Sequence, residues 1–144
     1  MKLVIQRVKK AQVKVEGKIV GQIGSGLLLL VGIEERDRDR VRETAEKILK
    51  IRIFENEQEK FDKSILDIRG EILVVSQFTL FADCSKGNRP YFGTAARPEI
   101  AQPILAKFVE ELKKSNLKVE TGVFGAKMEV ELVNDGPVTI ILEN

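Results

Sequence analysis

Three short stretches carry the side chains that could do chemistry. The first, "SQFTLF" at residues 76–81, closes an apolar run with two hydroxyls (Ser76, Thr79), the amide of Gln77 and the rings of Phe78 and Phe81. A hydroxyl at a strand end can be a nucleophile, but only with a base to activate it. The chain has no histidine. That absence removes Ser-His and Cys-His pairs and the usual imidazole ligands of zinc, and a lone Cys84 cannot form a thiolate cluster. A lysine such as Lys63 or Lys86 could act as base only if desolvation lowered its pKa. The plain alternative is a strand end whose Ser76 and Thr79 bond to loop backbone.

The second stretch, "SKGNRPYFGTAARP" at residues 85–98, combines glycines, small residues, three cations (Lys86, Arg89, Arg97) and the pair Tyr91-Phe92. Lysine and arginine bind phosphate, and an aromatic ring can stack on a base. The GxxxxGK[ST] order of a phosphate-binding P-loop is absent. An ordinary surface loop would read the same way. The third stretch is "LVNDGPVTI" at residues 132–140, where Gly136-Pro137 interrupts what should be a strand. Proline offers no N–H to a ladder and glycine weakens a strand interior. A Gly-Pro pair is most often a turn, and cis X-Pro bonds are only about 5–6% of the total, so pattern alone favours a trans bond.

The elements that must position these stretches can be read from periodicity. Residues 2–24 alternate as two strands around Glu16-Gly17-Lys18, and the run "LLLLVGI" at 27–33 reads as a buried strand. Residues 36–54 change to helical period, with Val41, Ala45, Ile48 and Leu49 on one face. Asp37 or Asp39 can cap that helix, and Glu43–Lys47 and Glu46–Lys50 can pair along it. Residues 52–70 suggest a short strand and an exposed loop, and 71–84 a central strand delivering a loop. Pro98 can open a second helix with the stripe Ile100, Ile104, Leu105, Phe108 and Leu112; Pro103 should kink it or mark its true start. Residues 117–144 read as three strands, the first two turning at 122–127.

Composition narrows the class. A chain of 144 residues with 43% apolar content spread along its length can bury a core as one domain. No apolar run is long enough for a membrane helix, and the start of the chain lacks a secretory pattern. One cysteine suggests a reducing, cytoplasmic setting. The net charge is only +2, yet residues 1–18 carry six cations against Glu16 alone, which allows a local phosphate-binding face. Solvated strand charges would look the same.

Taken together, "SQFTL", "KGNRP…AA.P" and "NDGPVT", in this order and with "QRV" near the start, closely resemble the D-aminoacyl-tRNA deacylases over essentially the whole chain. One departure is Tyr91, where the family usually has serine after "RP". The resemblance implies a homodimeric hydrolase of D-aminoacyl-tRNA, without metal or cofactor, whose active site lies at the subunit interface. Gly136-Pro137 would be a cis pair entering the partner's site as a chiral filter, its carbonyls facing the substrate α-carbon and held by Arg7. Ser76, Gln77, Phe78 and Thr79 would form the catalytic wall, Phe124 and Met128 would flank the substrate, and Lys86 and Arg89 would contact RNA. The filter would also admit glycine. A bond-forming role for Thr79 stays open beside activation of water by the ribose 2′-OH. Rival readings are a paralogue that removes a wrong L-amino acid through a trans Gly-Pro, and a tRNA-binding module without catalysis. The fold expected is α+β: one compact domain over residues 1–144, its antiparallel and mixed sheets forming a barrel-like core with two main helices.

Overall fold

A computed structural model describes residues 1–143. Strand β1 (Lys2–Val15) turns at Glu16-Gly17, both at positive φ, into β2 (Lys18–Ile23). After a break at Gly24-Ser25 the chain continues in the same direction as β3 (Gly26–Gly32). Both pair antiparallel with β1, β2 with its second half and β3 with its first. The other edge of β1 is taken along nearly its whole length by β8 (Glu129–Glu143).

On its far side β3 pairs in parallel with β6 (Glu71–Ser76), and β6 in parallel with β7 (Val119–Thr121). Parallel neighbours need long crossovers. Helix α1 (Val41–Lys50) lies in the first, together with a small hairpin of β4 (Phe54–Glu55) and β5 (Phe61–Lys63). Helix α2 (Pro98–Lys113) lies in the second. The result is an α+β domain whose mixed sheet curls into a nearly closed barrel, as expected. At the seam β7 presses on β2. A Cβ on Gly21 would stand 2.6 Å from the Thr121 carbonyl oxygen, so only glycine permits that approach.

Alternation within the apolar runs divides the core in two. Leu27, Leu29, Ile72 and Val74 face the helices and pack with Ile48, Ile104, Phe108 and Leu112. Leu28, Leu73 and Val75 point into the barrel with Val8, Val13 and Ile23. Burial on both faces explains why these strands read as unbroken hydrophobic runs.

Several expectations are corrected. The last stretch forms two strands instead of three: β7 pairs with β6 across the α2 crossover, and β8 runs on through Gly136-Pro137. Helix α1 starts at Val41, and neither Asp37 nor Asp39 caps it. Asp37 instead lies fully buried in a preceding 3₁₀ turn, where its carboxylate accepts the Glu34 N–H at 2.7 Å and pairs with the Met1 amino group at 2.5 Å. The helix surface pair formed is Arg42–Glu46, at 2.9 Å. Helix α2 begins at Pro98 and continues through Pro103.

Glu71 ties the break between β2 and β3 to the seam. Its Oε2 accepts the Gly24 N–H at 2.8 Å and the Lys118 ammonium at 3.2 Å. These contacts, the Gly24 N–H foremost, hold its carboxyl below the ordinary glutamate range. Because its side chain is 34% exposed, Glu71→Gln is expected to cost no more than about 1 kcal/mol at neutral pH. A depressed folded-state pKa stabilises above the unfolded value, about 4.5, and that share is lost as pH falls below it. Urea unfolding at pH 7 and pH 3 should therefore show the gap between wild type and variant narrowing on acidification.

Candidate active site

The parallel strands β3 and β6 end side by side, Val31 opposite Ser76, and a crevice opens at such carboxyl ends. Gln77 extends the ladder by one bond, its N–H donating to the Val31 carbonyl at 2.8 Å. The chain then tightens into a 3₁₀ turn, Phe78–Phe81. Ser76, Gln77 and Phe78 thereby form one wall of a cleft of about 500 Å³. The segment before α2 supplies a second wall, Ala95, Ala96 and Pro98, tied in place by the Ala96 N–H on the Ile33 carbonyl at 2.8 Å. The loop between β7 and β8 folds over the third side. Its turn, with Gly125 at positive φ and the Ala126 N–H on the Val123 carbonyl, brings in Phe124 and Met128. The lining is mostly apolar with a few polar groups at one end, the usual make-up of a small-ligand site.

Five of the expected residues thus meet in one cleft: Ser76, Gln77, Phe78, Phe124 and Met128. Thr79 is not among its lining residues; it is exposed at the margin, where its hydroxyl accepts from the Gln77 amide. The Phe78 ring is 58% exposed and meets Phe92 edge to face, the centroids 5.1 Å apart. Lys86 and Arg89 are exposed on a loop closed at its base by paired backbone bonds between Asp83 and Tyr91. Ser85, chiefly through its N–H, holds the Asp83 carboxyl below its ordinary range. Tyr91 stands over Gly93, where a Cβ would lie 2.0 Å from the tyrosine hydroxyl oxygen.

A second cluster forms elsewhere. The register of β8 on β1 passes from Thr139 opposite Gln6 to Asn134 opposite Val8, so four residues, Asp135 to Val138, bulge out against Arg7 alone. The bulge leaves Gly136 and Pro137 exposed, so proline removes no ladder bond there. The Gly136–Pro137 bond is cis, the geometry the resemblance implies. Asn134 braces the bulge from within: its Oδ1 accepts the Val138 N–H at 2.9 Å and its Nδ2 donates to the Thr139 hydroxyl at 3.0 Å.

Arg7, only 4% exposed, holds the bulge from below. Its Nε donates to the Asp135 carbonyl at 3.1 Å and lies 3.4 Å from the Asp135 carboxylate. Its Nη1 donates to the Ile53 carbonyl at 2.8 Å and its Nη2 to the Glu55 carboxylate at 3.1 Å. The carbonyl it grips is thus the one before the Gly-Pro pair, rather than those of Gly136 and Pro137. The "QRV" and "NDGPVT" motifs read as one object: Gln6, Arg7, Asn134 and Thr139 are the frame, and Gly136-Pro137 is what it presents. Glu55 carried no signal, being brought to Arg7 across 48 residues of chain.

Gly136 and Pro137 do not line the cleft. Arg7 pairs with Leu27 near one end of β3, whereas Val31 and Ser76 mark the other, about 13 Å away along the strand.

The family model for D-Tyr-tRNA(Tyr) deacylase matches residues 4–143. The chain belongs to this deacylase family. Among its deacylase relatives, the D-aminoacyl-tRNA deacylase of Thermosipho africanus is 54% identical over 145 residues, covering 100% of this chain and 97% of that protein. The one from Aquifex aeolicus is 52% identical, covering 100% and 98%. Of the solved structures, a "c-Myc DNA Unwinding Element Binding Protein" superposes with a TM-score of 0.93 at 44% identity, over 100% of this chain and 99% of that one. A probable eukaryotic D-amino acid tRNA deacylase shares the deacylase fold, with a TM-score of 0.84 at 17% identity over 98% and 97%. No helix among the described residues is long and apolar enough to cross a membrane.

Proposed function

We propose that the chain hydrolyses the ester of D-aminoacyl-tRNA as a homodimer, with Gly136-Pro137 of one copy closing the cleft of the other. The observation that carries this reading is the separation just described. A rigidly braced, exposed backbone bulge lies about 13 Å of strand from the apolar cleft, so one copy cannot bring the two together. A symmetric pair can, because an isologous contact uses each surface twice.

In that site a water oxygen bonds to the ester carbonyl carbon. The bond to the ribose oxygen then breaks, giving the D-amino acid and tRNA with its hydroxyl restored. The Phe78 and Thr79 N–H groups open the 3₁₀ turn and have no carbonyl within it to bond. They can stabilise the oxyanion, the contribution for which loss of one donor typically costs about 10²–10³ in rate. The ester is already activated and the neighbouring 2′-OH can position water, so no imidazole is needed. Exclusion by backbone suits the filter, since it rejects the L side chain by clash instead of by a weaker contact. Glycine, having no side chain to exclude, would pass. Lys86 and Arg89, exposed on the loop that joins the 3₁₀ turn to α2, suit contact with the tRNA backbone.

The test is a single-turnover assay on D-tyrosyl-, L-tyrosyl- and glycyl-tRNA without added metal. The D and glycyl esters are expected to be cleaved and the L ester spared, and Thr79→Ala should keep the D rate within about tenfold, since it retains the N–H. Cleavage of the L ester alone would favour the L-editing paralogue. Binding of tRNA with no turnover would favour the tRNA-binding module without catalysis; the 44% identical solved structure is itself named as a DNA-element binding protein.

A further inference from the structure

Arg7 is held from two sides, and only one of them is the bulge. Its guanidinium lies 5.5 Å from the centroid of the Phe61 ring, on β5. The same group bonds to the Glu55 carboxylate, on β4, and to the Ile53 carbonyl just before it. The small β4–β5 hairpin thus grips Arg7 through a ring face, a carboxylate and a carbonyl. Nothing in the core requires this: Phe61 is 53% exposed and the Glu55 side chain 45%. A phenylalanine left that exposed on a two-stranded hairpin, with its face toward a buried cation, is a contact for that cation and not for the core.

We infer that Phe61 and Glu55 are positioning residues of the chiral filter, acting through Arg7 to hold the Gly136-Pro137 bulge. This rests on the filter reading above. Arg7 has donors in a fixed planar fork, so the direction of its Nε–H toward the Asp135 carbonyl is set by where its other nitrogens are held. With Glu55 and Phe61 removed, the Ile53 carbonyl alone anchors the far end, and the guanidinium can swing. The bulge would then move relative to the partner's cleft, and discrimination by exclusion is sensitive to small displacements.

The experiment measures single-turnover rates on D- and L-tyrosyl-tRNA for full-length Phe61→Leu, Glu55→Ala and the double variant, alongside Tm. Both side chains are substantially exposed, so folding should survive. Each single variant should lower the D-to-L rate ratio roughly two- to fivefold, the worth of one exposed cation–π or charged contact, and the double variant about tenfold. Phe61→Tyr, which keeps the ring face, should restore the ratio lost in Phe61→Leu. A merely structural role would shift Tm and leave the ratio alone. Gly136→Ala separates the two readings. If it changes the D or L rate while Phe61→Leu and Glu55→Ala do not, the positioning role is overturned and the filter stands. If Gly136→Ala also leaves both rates unchanged, the filter falls and this inference with it.

Discussion

Gly136→Ala is expected to lower hydrolysis of D-tyrosyl-tRNA by about a hundredfold or more, with the protein still folded. Gly136 sits at φ +123, a region that L side chains rarely adopt. A Cβ there would stand 2.8 Å from a Val138 methyl, 3.1 Å from the Arg7 Nη2 and 3.2 Å from the Val138 N. The Val138 N–H is the one Asn134 receives, and Arg7 is fixed by three acceptors on two segments. Neither neighbour is a loose chain end that could step aside, so the bulge itself must shift. A displacement near 1 Å at a positioning element can cost about 10² in rate. The strain in the folded state should cost about 1–3 kcal/mol, visible as a lower Tm but too little to unfold a typical domain. Single-turnover kinetics with a parallel thermal melt check both parts, and wild-type rates with a lowered Tm would mean that the bulge has no part in the reaction.

Arg7→Lys should be nearly as damaging, although the charge is kept. One ammonium cannot reach the Asp135 and Ile53 carbonyls and the Glu55 carboxylate from the directions that a planar fork serves together. The Ile53 bond is fully buried, and an acceptor stranded there costs about 1–3 kcal/mol. The two carboxylates are 38–45% exposed, so water compensates most of their loss. A destabilisation of about 2 kcal/mol and a fall of at least tenfold in the D-ester rate are expected from the freed bulge. Arg7→Ala should be worse on stability, with Glu55 losing its guanidinium partner and Asp135 left only the exposed Lys9 ammonium at 3.8 Å. Denaturant melts and the paired D/L assay decide; full selectivity in Arg7→Lys would show that the frame does not depend on the fork.

Much of this molecule was legible without coordinates wherever a local rule operates. The alternation of residues 2–24 and the Glu16-Gly17 turn gave the β1–β2 hairpin, since a residue and its partner lie close in sequence. Pro98 marked the start of α2 because its fixed φ suits the first turn and its missing N–H is not needed there. The misreadings share a different cause. Residues 117–127 resembled the first arm of a hairpin, but β7 bonds to β6 across a crossover of more than forty residues, and no local pattern encodes a parallel partner. Gly136-Pro137 looked like an end to a strand. On the page of sequence a turn and a bulge are alike, and only the register against β1 tells them apart. Asp37 has the type and position of a helix cap, yet its carboxylate is drawn inward by the Glu34 N–H and the Met1 amino group.

By itself the sequence determined the chemical inventory: no imidazole, a hydroxyl and amide wall after a buried strand, a glycine beside a proline, and motifs whose order points to one deacylase family. It also determined the helices and most strands, because propensity and hydrophobic period act over a few residues. Tertiary structure alone decided where these groups stand. It gathered Ser76, Gln77, Phe78, Phe124 and Met128 into one cleft and left Thr79 at its margin. It set the Gly136-Pro137 bulge about 13 Å of strand away, on a frame of Arg7, Asn134 and the β4–β5 hairpin. The reason is that contacts such as Arg7 with Glu55 or Asp135 join residues tens of positions apart or more. Their choice is made by the packing of the whole sheet, through which end of β3 each segment must meet.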